Sequence, residues 1–167
     1  GNFYNRTGMV ENALGRYNRA LSIVEKHGRN TKLHLNLLLD MAKNYEDRFD
    51  NYSSVLLRFE ALEISDTIYG KEHENYGFAL HNIAYLFHEM EQYQKAISYY
   101  YLSLKNLSNS LGVNHEEYGN ALFNLGTSYR KVNKDSLAIV MYRNSLENCD
   151  KSLGKHNWIY LGRLKAL

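Results

Sequence analysis

His81 and His88 are the side chains of this chain best suited by type to metal binding, and Glu89 follows the second histidine. A separation of seven residues places both rings on one face of a helix, but two turns or about 10 Å apart. Helical zinc sites use pairs four residues apart, so these two histidines alone cannot hold one ion. The spacing therefore argues against a metal site.

No other reactive side chains form a catalytic pattern. Cys149, the single cysteine, takes the place of the apolar Leu107 in the repeat described below, which predicts a buried and inert thiol. Glu116 and Glu117 stand near a predicted helix start, where negative charge favours the helix dipole. The chain contains no glycine-rich phosphate loop and no nucleophile elbow. We therefore predict neither an enzyme nor a bound cofactor.

Charge and composition exclude further classes of protein. The chain carries 20 Lys+Arg and 18 Asp+Glu, a net charge of +2, whereas direct nucleic-acid binders usually show a basic excess. A single cysteine excludes an internal disulfide framework. No apolar run could span a bilayer, and the first residues lack a signal-peptide pattern. The missing signal-peptide pattern favours a cytoplasmic location. Because the chain does not begin with methionine, a periplasmic location is the alternative if a leader has been removed.

The remaining composition indicates helices. Among 167 residues there is no proline and there are 15 tyrosines, so the chain has no obligatory helix breaker. Alternating runs of β-branched residues between turn residues, which are typical of strands, are missing. We predict an all-α fold.

A repeat of 42 residues organises the sequence. Gly70, Gly112 and Gly154 are evenly spaced, and an ungapped alignment of the two copies that begin at Gly70 and Gly112 gives sixteen identical positions. Unrelated segments of this length would share roughly three. The predicted copies are 28–69, 70–111 and 112–153, with partial copies at 3–27 and 154–167.

Each copy has the apolar spacing of two helices joined by a turn. In one copy the first helix has apolar residues at i, i+3, i+4 and i+7: Leu80, Ile83, Ala84 and Phe87. The turn falls at Glu91 or its equivalent Asn133, and asparagine tolerates the left-handed conformation that such a turn needs. A second periodic stretch ends at Gly112, which suits a C-cap. Small residues mark the close approach of the two helices: Ala84, Gly126, Ala96 and Ala138.

The first full copy is less regular than the other two. Its pattern favours Val55 and Phe59 as core residues over Ser54 and Arg58. We therefore predict compensating one-residue shifts near Asn51. A helical hairpin is expected there as well.

The pattern resembles the tetratricopeptide repeat family. The second helix shows Tyr-x-x-Ala-x-x-x-Tyr-x-x-Ser-Leu from Tyr93, and the stretch from Ala13 to Leu21 matches it closely. The 42-residue period with Gly-x-x-His before the first helix is similar to the longer repeats of kinesin light chains and many bacterial proteins. The usual proline after this histidine is replaced by Glu74 or Glu116. The resemblance implies a single domain over 1–167, a right-handed superhelical solenoid of stacked antiparallel hairpins.

The resemblance also implies that the first helices line a concave groove that holds peptide segments. Helical geometry assigns to the groove Phe78, His81, Tyr85, His88 and Glu89, then Asn120, Phe123, Thr127, Arg130 and Lys131, and in the earlier copy Asn36, Leu39, Lys43, Glu46 and Asp47. The predicted binding residues are Phe78, His81, Tyr85, His88, Asn120, Phe123, Thr127, Arg130 and Lys43. Such a surface suits a peptide with an apolar anchor and a few charges.

Several of these residues have an alternative role. Phe78, Tyr85 and Phe123 could instead pack between repeats, and Arg130 and Lys131 could form a solvated helix face. The recurring asparagines, Asn82 and Asn124, could bind a ligand backbone or satisfy polar groups between helices.

The family's carboxylate clamp needs lysine and asparagine at particular groove positions. Here His81 and Phe123 stand in place of lysine, and Thr127 in place of asparagine. We therefore do not expect capture of a chaperone-type acidic C-terminus.

Three functions remain open. The sequence favours a module that binds a protein or peptide partner, within a larger protein. The alternatives are a ligand-responsive sensory or regulatory region of a bacterial signalling protein and a structural spacer that self-associates through its ends. A high content of Asn, Tyr and Lys is associated with AT-rich bacterial genomes.

Overall fold

Helices make up all of the regular structure in the part of the chain that the structure describes. The computed structural model describes residues 15–17, 19–24, 26, 28 and 31–167, and these contain no strand. Residues 15–17 and 19–24 are helical, and seven further helices follow: α1 (Lys32–Glu46), α2 (Asn51–Tyr69), α3 (Glu74–Glu89), α4 (Tyr93–Ser110), α5 (Glu116–Lys131), α6 (Asp135–Leu153) and α7 (Trp158–Leu164). The all-α prediction is confirmed.

The chain divides into two compact units, one ending at Ile68 and the other spanning Tyr69–Leu167. In the first unit, Val24 packs with Leu37 and Met41 of α1. Partly buried residues surround this cluster: Tyr17, Ala20, Leu21 and Leu57. Of the predicted partial copy 3–27, residues 3–14, 18, 25 and 27 lie outside the described residues, as do 29 and 30 of the next copy. The assignment of 1–167 to one domain stays a prediction.

The first unit keeps the 42-residue register without a shift. Ser54 is fully buried and the Arg58 side chain is 12% exposed, so both occupy core positions beside the buried Val55. The carboxylate of Glu46 explains this, because its Oε1 accepts hydrogen bonds from Ser54 Oγ at 2.7 Å and Arg58 Nε at 2.8 Å. The predicted shift near Asn51 is wrong, since Glu46 gives both residues a partly buried hydrogen-bond partner.

The turn inside the hairpin uses a left-handed residue at the same place in each of the three full copies. Phe49, Glu91 and Asn133 are separated by 42 residues and have φ values of 63°, 60° and 58°. The prediction for Asn133 is confirmed. A common conformation at a common spacing places the three copies in one register.

The loop before each hairpin pairs a glycine with a helix cap three residues later. Gly70 and Gly112 have φ values of 81° and 86°, which other residues rarely adopt. His73 and His115 each accept, through Nδ1, the backbone N–H two residues on at 3.2 Å. This bond satisfies a free donor at the helix start. Asn157 caps α7 in the same way at 2.8 Å.

The predicted core of the second unit is buried. It contains Leu80, Ile83, Ala84 and Phe87 of α3 and Leu122, Leu125, Gly126 and Tyr129 of α5. A Cβ atom added at Gly126 would lie 2.9 Å from the ring of Tyr142 and 3.2 Å from the carbonyl oxygen of Ala138. The small residues therefore allow the close helix approach that the sequence predicts. Cys149 is buried as expected.

The start of α3 is joined to α4 by a polar contact that the sequence did not predict. We call its three residues the hairpin latch: Gly77, Ser103 and Asn106. Ser103 Oγ donates to the Gly77 carbonyl oxygen at 2.8 Å, and Asn106 Nδ2 donates to the carbonyl of Lys71. A Cβ atom on Gly77 would lie 2.2 Å from Asn106 Oδ1. The glycine therefore makes room for the asparagine amide.

The latch recurs 42 residues later as Gly119, Ser145 and Asn148. Ser145 Oγ donates to the Gly119 carbonyl at 2.7 Å, and Asn148 Nδ2 donates to two loop carbonyls at 2.7 and 3.0 Å. In the first unit, Leu35 and Ile64 take the glycine and asparagine positions, and both are buried. The same junction thus exists in a polar and an apolar form.

Candidate peptide-binding surface

Four of the predicted binding residues lie on α3. Phe78, His81 and His88 are partly buried, whereas Tyr85 is 46% exposed. An exposed aromatic ring on a helix can bury much area against a ligand at a low entropy cost. Tyr85 is therefore the most accessible aromatic side chain of the predicted set.

Both histidines of α3 reach across to α5. Asn124 Nδ2 donates to His81 Nε2 at 2.9 Å, and His88 Nδ1 lies 2.8 Å from Ser128 Oγ. The ring of His81 also lies edge-on to Tyr100 of α4, with centroids 5.5 Å apart. The structure thus places the histidines at the junction between the first helices of two copies.

Burial controls the protonation of these histidines. Desolvation lowers the pKa of His81, and the nearby charge of Glu117 opposes this only in part. Desolvation also lowers the pKa of His88, where Glu89 opposes the shift and Lys131 reinforces it. Both rings therefore favour the neutral form at pH 7.

The recurring asparagines take different roles. Asn124 bonds to a side chain of the neighbouring helix, which matches the predicted alternative that these asparagines satisfy polar groups between helices. Asn82 is exposed on α3. Among the described residues, no three His, Cys, Asp or Glu side chains come together in a way that could hold a metal ion.

On α5, three predicted binding residues have partners inside the protein. Asn120 Oδ1 accepts a hydrogen bond from the buried guanidinium of Arg163. Thr127 Oγ1 donates to the Phe123 carbonyl oxygen at 3.1 Å and accepts from Tyr142 Oη at 3.3 Å. The rings of Phe123 and Tyr142 have centroids 5.3 Å apart. These contacts favour the packing role for Phe123 and occupy part of the polar capacity of Asn120 and Thr127.

The charged members of the predicted set remain accessible. Arg130 and Lys131 are exposed at the end of α5, and the Arg130 guanidinium carbon lies 5.8 Å from the ring centroid of Tyr142. This cation–π contact orients the positive charge. Lys43 is exposed on α1 of the first unit, where the predicted groove residue Glu46 is instead paired with Arg58. We call the set on α3 and α5 the candidate binding surface: Phe78, His81, Tyr85, His88, Asn120, Phe123, Thr127 and Arg130.

Sequence reasoning missed three residues that support this surface. Tyr142 was available as a signal, because it recurs 42 residues after Tyr100. Ser128 aligns with the apolar Leu86 and is fully buried, so a polar residue at an apolar position was also a signal. Arg163 aligns with an alanine, so the repeat pattern carried no signal of its role.

Comparison with known proteins gives family and fold. The tetratricopeptide repeat model matches residues 58–109 and 79–151. The nearly identical TPR-like repeats of a kinesin light chain from Podosopora anserina are 17% identical, with a TM-score of 0.79 over 99% of this chain and 79% of that one. BtubC (BKLC) from P. vanneervenii is 17% identical, with a TM-score of 0.80 over 92% of this chain and 62% of that one.

A more distant structure has the same type of fold. The N-terminal domain of stress-induced protein-1 from C. elegans is 13% identical, with a TM-score of 0.60 over 78% of this chain and 91% of that one. No curated protein matches the sequence. The predicted solenoid class is confirmed by these structural matches.

In the described part of the chain, no helix is both long and apolar enough to cross a membrane.

Proposed function

Because the chain belongs to the tetratricopeptide repeat family, whose members act in general as scaffolds for protein–protein interaction, we propose that it binds a peptide or a partner helix on the candidate binding surface. Scaffolds of this kind are generally not enzymes, and we propose no catalytic activity. Helices α3 and α5 of the second unit are the elements that would contact the ligand.

The position of Tyr85 carries this proposal. Tyr85 is exposed on α3, and α3 is hydrogen-bonded to α5 both before and after Tyr85 in the sequence. His81 lies one turn before Tyr85 and His88 about one turn after, and each bonds to α5. A ring on such a braced helix is preorganised, which limits the freedom lost when a ligand binds. Arg130, oriented by Tyr142, supplies a positive charge on α5.

Replacing Tyr85 by alanine is therefore expected to weaken ligand binding by about thirtyfold or more, the loss that defines an interface hot spot. Peptides would first be selected from a displayed random library on the unmodified chain. Their affinities for both proteins would then be compared by titration calorimetry. Helicity measured by circular dichroism should not change.

The matched control is Tyr52→Ala, since Tyr52 is also an exposed tyrosine but lies on a second helix, α2. This variant should bind the selected peptides as the unmodified chain does. Equal losses for the two variants, or a loss of helicity in Tyr85→Ala alone, would reject the candidate binding surface.

A self-associating spacer is the second candidate, because α7 exposes apolar side chains. Trp158, Leu161 and Leu164 are 78%, 51% and 48% exposed. If this face joins copies of the chain, sedimentation velocity should show concentration-dependent association that Leu161→Lys with Leu164→Lys abolishes. A monomer at every concentration would remove this candidate.

A further inference from the structure

The hydrogen-bond network at the α3–α5 junction determines where the histidine protons lie. Ser128 Oγ donates its single proton to the backbone carbonyl oxygen of Asn124 at 3.0 Å. Toward His88 the hydroxyl can therefore only accept, so His88 Nδ1 carries a proton. The amide nitrogen Nδ2 of Asn124 is only a donor, so His81 Nε2 must be the bare acceptor. The contact between His81 and Asn124 therefore requires a neutral imidazole.

We propose that the α3–α5 junction is a pH-sensitive joint, in which protonation of His81 breaks its hydrogen bond to Asn124 and loosens the contact between two repeats. A proton added to His81 Nε2 would point at the amide hydrogens of Asn124. The charged ring would also be enclosed between Tyr100 of α4 and the side of α5, where it has lost water.

The surrounding charges do not reverse this effect. Glu117 on α5 is the nearby carboxylate that favours a charged His81, but desolvation outweighs it and the pKa of His81 is lowered. Around the second histidine, Glu89 of α3 and Lys131 of α5 act in opposite directions, while Tyr93 of α4 adds only an uncharged ring, with centroids 5.1 Å apart. His88 can keep donating to Ser128 in either state, so it contributes through burial alone.

The sign of the pH dependence follows from linkage. An unfolded histidine titrates near a pKa of about 6.5, and the folded pKa of His81 is lower. Between the two values the unfolded chain binds more protons than the folded chain. The free energy of unfolding is therefore full above about pH 6.5 and falls on acidification below it. If the proposed function holds, acid also weakens ligand binding, because Tyr85 lies on the helix that loosens.

The test uses His81→Gln, in which the side-chain oxygen can accept from Asn124 at any pH and cannot titrate. Urea unfolding of the full chain is followed at about pH 7.5 and about pH 5.5. For each unit by which folding lowers the pKa of His81, acid should raise the unfolding equilibrium constant of the unmodified chain by a factor of at most about ten. His81→Gln should lose this added part. His156→Gln, which changes an exposed loop histidine, should retain it.

Two further measurements keep the proposal testable if His81→Gln folds poorly. Proton NMR titration of the unmodified chain should give His81 a pKa below about 6.5. Hydrogen exchange, corrected for the intrinsic effect of pH, should show acid-induced opening in 74–89 and 116–131 before 135–153. A His81 pKa at or above the unfolded value would overturn the joint, as would happen if Asn124 turned its oxygen toward a charged ring. An acid response as large in His81→Gln as in the unmodified chain would overturn it too, because only the smaller response that comes from His88 should remain in this variant. None of these readouts needs a ligand, so failure of Tyr85→Ala rejects only the proposed function.

Discussion

Replacing Gly77 by alanine is expected to lower the free energy of unfolding by about 2–4 kcal/mol, which combines overpacking with the loss of a buried hydrogen bond. The added Cβ would lie 2.2 Å from Asn106 Oδ1 and 2.9 Å from Leu107 Cδ2. Asn106 is buried and donates to the Lys71 carbonyl, so it cannot move without leaving that carbonyl unpaired. Urea unfolding followed by circular dichroism measures the change.

The control is the same substitution at Gly162, in α7. A Cβ atom there meets nothing within 4 Å, and alanine favours helix over glycine by up to about 1 kcal/mol. Gly162→Ala should therefore leave stability unchanged or slightly raised. A small effect at Gly77 as well would show that the latch can relax and that the close approach is not required.

The apolar form of the latch suggests how to compensate a larger change. At the positions equivalent to Gly77, Asn106 and Leu107, the first unit carries a buried leucine, isoleucine and serine: Leu35, Ile64 and Ser65. Gly77→Leu alone should destabilise more than Gly77→Ala. Adding Asn106→Ile and Leu107→Ser should recover about half of the loss, because the smaller serine removes part of the volume that Gly77→Leu adds. Recovery should be incomplete, because the Lys71 carbonyl loses the donor that Asn106 provides. Additive losses across the three substitutions would contradict this exchange.

Leu80→Ala is expected to cost about 2–5 kcal/mol, the range for a large-to-small change in a packed core. Leu80 is 4% exposed and belongs to the buried face of α3. Stability in a stacked array depends on the contacts between neighbouring helices, so a cavity here should weaken the unit and not only one hairpin. Thermal and urea unfolding would both report the loss.

Leu102→Ala is the matched control, because it removes the same atoms from the exposed side of α4. Leu102 is 51% exposed, and surface substitutions of this kind usually change stability by less than about 0.5 kcal/mol. Similar costs at Leu80 and Leu102 would mean that α3 does not bury the face assigned to it.

Most of the fold could be predicted from residue spacing. Apolar residues at helical intervals indicated the buried faces of α3 and α5, since a helix repeats its environment every 3.6 residues. Asn133 marked the turn because few residue types adopt a positive φ. The first full copy was misjudged at Ser54 and Arg58. Hydropathy alone cannot show that Glu46 accepts a hydrogen bond from each of them.

The candidate binding surface was less predictable than the fold. The helical interval placed His81 and His88 on one face, but their bonds go to Asn124 and Ser128, about 40 residues later. Such pairs come together only when copies stack. Asn106 and Asn148 were identical between copies, yet their roles became visible only with the glycines opposite them.

By itself, the sequence determined the all-α class, the 42-residue register and the faces that each helix buries, because these depend on local periodicity and on the conformational preferences of single residues. The tertiary structure alone decided which polar groups face each other: Glu46 with Arg58, His81 with Asn124, and Asn120 with Arg163. A hydrogen bond requires its donor and acceptor to lie within about 2.7–3.2 Å of each other. Residue spacing does not encode that distance for atoms that are far apart in the chain.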